Sequence, residues 1–164
     1  MKKIDAGEYF DLMLESFPGV DPVELEDMTV ISEKILKLQW GNRLRFFSYI
    51  TYTEELDAEL MINYKNRCVQ LAKKTRSAFA EPAVCIAVVI ADEASRGAID
   101  FARSAPAIHL MRGEYPVIAD LTRGEAFYYK GPVPVRLLYN RYERKYIDFH
   151  FAGPLRALTK KTPL

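Results

Sequence analysis

The chain has 164 residues, 49% of them apolar and 27% charged, with a formal net charge of +1. This balance excludes an intrinsically disordered chain, which needs fewer apolar residues and a larger net charge. The length suits one domain that buries roughly two-thirds of its unfolded surface, so neither a disulfide nor a structural metal is required for stability.

Asp5 followed by Glu8 reads as a capping box that opens a helix over Ala6 to Phe17. Ala6, Tyr9, Phe10, Met13 and Phe17 make its apolar stripe, and Pro18-Gly19 ends it. Asp21-Pro22 reads as a cap followed by a proline at a first helical position, opening one short turn. Ile35 to Trp40 and Arg43 to Thr53 then flank Gly41-Asn42, a two-residue hairpin turn. Leu36, Leu38 and Trp40 alternate with polar residues, as do Leu44 and Phe46. Beyond Phe47 both faces are apolar, which places that strand inside its sheet.

Glu54 to Phe79 reads as a long helix, with Leu56, Leu60, Met61, Tyr64, Cys68, Leu71, Ala72, Thr75 and Phe79 along one face. Acids crowd its first turns and bases its last, matching the helix dipole. Its stripe is expected to pack on the protein's own sheet. Ala83 to Ala91 has the continuous apolar character of a strand buried on both faces. A helix from Glu93 to Arg103 and a strand from Ala107 to Met111 follow. Together these three predict a β-α-β unit with a parallel pair.

Tyr115 to Leu121 and Ala126 to Lys130 read as strands joined at Thr122 to Glu125, where Gly124 supplies a left-handed turn residue. Residues 133–151 fit two periodicities. Val133, Val135, Leu137 and Tyr139 alternate as in a strand, as do Ile147, Phe149 and Phe151. Val135, Leu138, Tyr142 and Tyr146 fit a helix, so hairpin and helix both stay open. Gly153 to Leu164 is expected to be a loosely ordered tail. The expected class is α/β, with α+β as the alternative: one domain over residues 1–164. It holds a mixed sheet of about five to seven strands, with the long helix and the β-α-β unit packed on it.

Cys68 and Cys85 form no C-x-x-C pair and sit in apolar-patterned segments, so they are expected as buried, reduced thiols. The amino-terminal lysines meet Asp5, Glu8 and Asp11 with no apolar stretch, so no signal peptide is expected. Ala83 to Ala91 is too short to cross a bilayer as a helix, which takes about 20 residues. These features point to a cytoplasmic protein without a membrane span.

Charge is uneven along the chain. Met1 to Glu33 holds nine acidic residues and two lysines, whereas Arg136 to Lys161 holds seven basic and two acidic residues. The two ends are expected to lie together and neutralise each other. A nucleic-acid or membrane face is the alternative.

Phosphate-loop, dinucleotide, zincin and nucleophile-elbow motifs are missing from the sequence. The two histidines, His109 and His150, are each expected on a strand at a sheet face. Asp92 and Glu93 stand at the exit of the buried strand. Asp92 is expected to cap the following helix. The alternative there is a small-molecule or metal site at the strand end.

Asp120, followed at a distance by Glu143-Arg144-Lys145, resembles the PD-(D/E)xK nuclease pattern. That resemblance implies two carboxylates holding a divalent metal that activates water, and a lysine that stabilises charge at phosphorus. Glu143 departs from the pattern because it falls in an expected polar turn, Asn140 to Arg144. Arg136, Tyr139, Arg141, Tyr142, Arg144, Lys145, Tyr146 and Phe149 interleave cations with rings, as single-stranded nucleic-acid binders do. The competing reading is a half-buried element with snorkelling cations.

These features give one leading expectation: a non-catalytic binding or assembly module that meets a protein partner or itself, with no cofactor. Ten tyrosines favour an interface. The alternatives are a metal-dependent phosphodiesterase or nuclease using Asp120, Glu143 and Lys145, and nucleic-acid binding through the basic-aromatic region.

Overall fold

The run from Ala83 becomes the strand on which both cores are built. Every residue from Ala83 to Ala91 is buried. A computed structural model describes residues 3–36, 43–75, 83–106, 108–109, 112–132 and 137–161. Its elements begin with helix α1 (Ala6–Glu15), strands β1 (Val23–Leu25), β2 (Met28–Leu36) and β3 (Arg43–Leu56), and helix α2 (Ala58–Thr75). Strand β4 (Ala83–Ala94), helix α3 (Arg96–Arg103) and strands β5 (Ile108–His109), β6 (Arg112–Asp120) and β7 (Glu125–Phe127) follow. Helix α4 (Leu137–Ile147), a wide π-type turn (Asp148–Ala152) and helix α5 (Gly153–Lys161) close the described chain.

One mixed sheet orders its strands β1-β2-β3-β4-β6-β5, with β7 also on β6. β3, β4 and β6 run parallel. The class is therefore α/β. Alternation along β4 sends Val84, Ile86, Val88 and Ile90 into one core, and Cys85, Ala87 and Val89 into the other. The first core holds residues of α1, α4 and α5, the second those of α2 and α3. The sheet is thus a middle layer between two helical ones. Among the described residues, no helix is long and apolar enough to cross a membrane.

Asp5 caps α1 as expected, accepting from the Glu8 amide at 2.9 Å. Tyr9, Met13 and Phe17 are buried, with Ala6 and Phe10 packed at the core's edge. Gly124 takes φ 63° in the β6–β7 turn, a backbone region open to glycine at little cost. Cys68 and Cys85 are buried thiols outside any disulfide.

Several expectations are corrected. Asp21-Pro22 opens no helical turn. β1 follows it and pairs with β2, Leu25 against Met28, with Glu26 at φ 56° closing the hairpin. Strand pairing outweighs the local cap signal there. A two-residue turn at Gly41-Asn42 would pair Trp40 with Arg43, but the observed register pairs Leu36 with Arg43. The connection 37–42 lies outside the described residues. This register puts Ile35 opposite Leu44, both on the first core.

The long helix starts at Ala58, not Glu54, because Glu55 and Leu56 still pair with Glu93 and Ala94 of β4. Asp57 accepts from the Leu60 amide at 2.8 Å and caps α2. Residues 76–79 of the expected helix lie outside the described residues. Leu60 on the expected stripe is exposed, and Val69 is buried in its stead. Glu93 likewise belongs to β4, and α3 begins only at Arg96. β5 does not form the expected parallel pair with β4. It pairs antiparallel with β6, and β6 is the parallel neighbour of β4.

Between hairpin and helix in 137–151, the structure takes the helix. Nor is 153–161 a loose tail: α5 buries Pro154, Leu155 and Leu158. The wide turn before α5 has a local cause. Pro154 has no N–H, and its ring crowds the carbonyl four residues back. The chain widens there, and the Gly153 amide bonds to the Asp148 carbonyl. Tyr9 then donates to the Phe151 carbonyl at 2.9 Å, tying α1 to this turn.

Candidate functional site

Above the first core, α1, the β2–β3 pair, α4 and α5 line an open cavity of about 820 Å³. Leu12, Glu15 and Ser16 come from α1 and its cap, and Ile35, Leu44 and Phe46 from the sheet. Tyr142, Lys145 and Tyr146 come from α4, Asp148, Phe149 and His150 from the wide turn, and Pro154, Arg156 and Ala157 from α5. The volume lies in the range of small-molecule sites, and the walls are mainly aliphatic and aromatic, as such sites require. Pro154 matters to the cavity because the turn it forces carries Phe149 and His150 to the wall.

Rings dominate one side. Phe17 stacks on His150 with centroids 3.9 Å apart and planes 10° apart. Tyr146 stacks on Phe46 at 3.8 Å and 10°, and Phe149 meets His150 edge-on at 4.9 Å. Phe149 is 64% exposed at the mouth. His150 is nearly enclosed at 8%. Burial lowers its pKa from 6.5 to about 4, so the ring is neutral at physiological pH.

Two hydrogen bonds fix the tautomer of that ring. Ser16 Oγ lies 2.6 Å from the Met13 carbonyl and 2.8 Å from His150 Nδ1. A carbonyl only accepts, so the single serine proton goes to Met13. The Nδ1–H then donates to Ser16 Oγ. Nε2 keeps its lone pair. The same assignment disqualifies Ser16 as a nucleophile activated by His150, because the facing nitrogen already carries a proton.

The rim holds two acids and two bases. Arg156 grips Asp148 with both terminal nitrogens, at 2.9 and 2.8 Å. That bond holds the Asp148 carboxyl below the ordinary range. Tyr128 also donates to Asp148, at 2.9 Å. Glu15 and Lys145 take part in no ion pair among the described residues.

Behind the cavity wall, Glu33 Oε2, Ser48 Oγ and Tyr146 OH are buried without a well-formed hydrogen bond. Burial and the nearby Glu33 charge push the Tyr146 phenol well above its ordinary pKa.

The structure does not bring Asp120, Glu143 and Lys145 together. Asp120 is fully buried at the end of β6. It accepts from the Ala94 amide at 3.0 Å and the Arg123 amide at 2.7 Å, and it pairs with the Arg123 guanidinium. Glu143 is a buried residue of α4, not part of a polar turn, and Tyr115 donates to it. Tyr115 lies in the first core, whereas Asp120 shares the face of Ile118, in the second. Five residues of strand, roughly 16 Å, also separate Tyr115 from Asp120. Lys145 is exposed at the cavity rim. No cluster of three or more His, Cys, Asp or Glu side chains is placed for a metal among the described residues.

Asp92 does not cap α3. Ser95 does, accepting from Ala98 N at 3.2 Å, while Asp92 stays in β4 and pairs with Lys3. Glu93 points to the opposite face. A second cavity of about 480 Å³ opens at this strand end, lined by Glu55, Asp57, Glu93, Ser95, Arg96 and Arg123 among others. It lacks apolar walls of the first kind.

Of the basic-aromatic series, Arg141, Lys145 and Phe149 are exposed, while Tyr146 is buried against Phe46 and unavailable to stack a base. Arg136 and the side chain of Tyr139 lie outside the described residues. α1 packs on α5, so the two ends of the sequence touch there, but the ion pairs among the described residues lie elsewhere: Glu26 and Asp27 pair with Arg67, and Arg156 with Asp148. Lys65 and Glu114 form a shielded ion pair at 3.3 Å on the α2 face.

His109 is on a strand as expected, but His150 is not. Sequence reasoning missed His150 and Ser16 as cavity residues. The available signal was Tyr146, Phe149 and Phe151 clustered around His150, with spacing that a helix brings together. Comparison with protein-family models, curated proteins and solved structures finds no match.

Proposed function

We propose that this protein is a non-catalytic binding module whose partner is a small molecule seated in the cavity between α1, the β2–β3 pair, α4 and α5. The observation that carries this reading is an apolar cavity of about 820 Å³ with a neutral, tautomer-fixed histidine in its wall. The Ser16–His150 contact supports binding over hydrolysis, since its proton arrangement offers no activated nucleophile. A ligand-observed NMR screen of neutral aromatic and aliphatic fragments tests it. Fragments should bind the wild-type protein and lose binding in Ala157→Trp, which fills the mouth from an exposed helical position. A screen without a binder defeats the reading.

A second reading, self-assembly, rests on a separate feature. β1 forms one edge of the sheet, and Val23, Glu24 and Leu25 are all exposed on it. An open, apolar-flanked strand edge favours pairing with a second copy. Sedimentation should give a dimer that Val23→Lys dissociates; a wild-type monomer at all concentrations removes this reading.

A further inference from the structure

The cavity wall contains one polar atom whose hydrogen-bonding role is dictated by its surroundings. His150 Nδ1–H is spent on Ser16 Oγ, and Ser16 is held in place by its own bond to Met13. Phe17, stacked on the ring at 3.9 Å, blocks one face and fixes its plane. Nε2 has no hydrogen-bond partner among the described residues, nor is it one of the buried orphan atoms. It is the ring atom left for the cavity, and as a lone-pair nitrogen it accepts only. The lining carries no net formal charge: Asp148 is paired with Arg156, and Glu15 and Lys145 add one charge of each sign at the rim. With the charges balanced in sign and a mainly apolar lining, the site favours a ligand without net charge. The wall beside the His150 ring is aromatic: exposed Phe149 meets the ring edge-on at 4.9 Å, and Tyr146, backed by Phe46, lies tilted against it at 4.4 Å.

We infer that the cavity takes an uncharged planar aromatic molecule that lies against this wall and donates one N–H or O–H to His150 Nε2. The inference rests on the reading of the cavity as a small-molecule site and adds the ligand's chemistry. An apolar body supplies most of the binding. The single donor supplies orientation, because a ligand without it leaves Nε2 desolvated and unpaired. A neutral acceptor with a buried partner also keeps its role across the ordinary pH range.

Indole and benzothiophene form the test pair, since they share a shape and differ in the N–H. Isothermal titration calorimetry of each into the wild-type protein should show indole about five-fold tighter, the size of one ordinary hydrogen bond. His150→Phe keeps the ring stack and removes the acceptor, so the two should then bind equally. Equal affinities in the wild type overturn the donor assignment while leaving the cavity a binding site. A preference for indole that survives His150→Phe overturns it too, because the donor then goes elsewhere. If neither molecule binds, the aromatic class is wrong, and the broader fragment screen decides separately whether the cavity binds anything. The wild-type comparison stands even if His150→Phe fails to fold.

Discussion

Ser16 Oγ sits 2.8 Å from His150 Nδ1, joining the end of the first helix to a turn 134 positions later. The contact fixes which nitrogen of the ring carries the proton. Histidine ¹⁵N shifts should therefore show His150 as the Nδ1–H tautomer near neutral pH. In Ser16→Ala, signals of the other tautomer should appear. An Nε2–H form in the wild type would contradict the network.

Burial of His150 has a consequence for pH. Its folded pKa, about 4, lies below its ordinary 6.5. The unfolded chain therefore binds a proton that the folded one refuses. The stabilisation is full above about pH 6.5 and is lost as pH falls toward about 4, amounting to about 2 kcal/mol after allowance for solvent in the cavity. Urea unfolding of the wild type should weaken between pH 6.5 and 5, before most carboxylates titrate. His150→Phe should flatten that slope; an unchanged slope would show that His150 titrates normally.

The buried Tyr146 hydroxyl faces Glu33 and Ser48 without a completed hydrogen bond. Removing an unsatisfied buried group relieves a desolvation cost. Tyr146→Phe should leave the stack on Phe46 intact and raise stability by up to about 1 kcal/mol, roughly 2–4 °C in Tm. A clear loss of Tm would mean that the hydroxyl is bonded, directly or through water.

Lys65 and Glu114 pair across the α2–sheet interface, with side chains 16% and 5% exposed. Breaking such a pair strands a shielded charge, so Glu114→Gln should cost about 2–3 kcal/mol. Replacing both partners, Lys65→Met with Glu114→Leu, should recover most of that loss. Denaturant midpoints of the two proteins make the comparison, and a double variant as weak as the single one would refute the pairing argument.

Asp120 serves the fold. It gathers the amides of Ala94 and Arg123 at a strand end. Asp120→Asn should cost about 2–3 kcal/mol, because a neutral amide loses the charge-assisted bonds. Thermal scans of the wild type should show no shift with Mg²⁺. A rise in Tm that Asp120→Asn abolishes would return the metal-dependent reading to consideration.

The sequence by itself determined the elements whose signals are local. Asp5 with Glu8 marks the start of α1, Gly124 marks a turn, and the unbroken, β-branched apolar run at Ala83 reads as a strand covered on both faces. These follow from backbone preferences and from the cost of exposing apolar surface. Tertiary structure alone decided the rest. The choice of helix over hairpin in 137–151 was made by the first core, which buries Tyr146 of the helical set together with Ile147 and Phe151 of the alternating set. The start of α2 was set by β4, whose pairing keeps Glu55 and Leu56 extended against a local preference for helix. The pairing of strands likewise moved β5 to the sheet edge. The cavity was legible least of all, because it is assembled from residues near 12, 45 and 150, and no local pattern records which side chains will share a wall. Asp120 and Glu143 make the same point in reverse. Read along the chain they resemble a metal pair, but the two-residue period of β6 and the positions of α3 and α4 send them to opposite faces of the sheet.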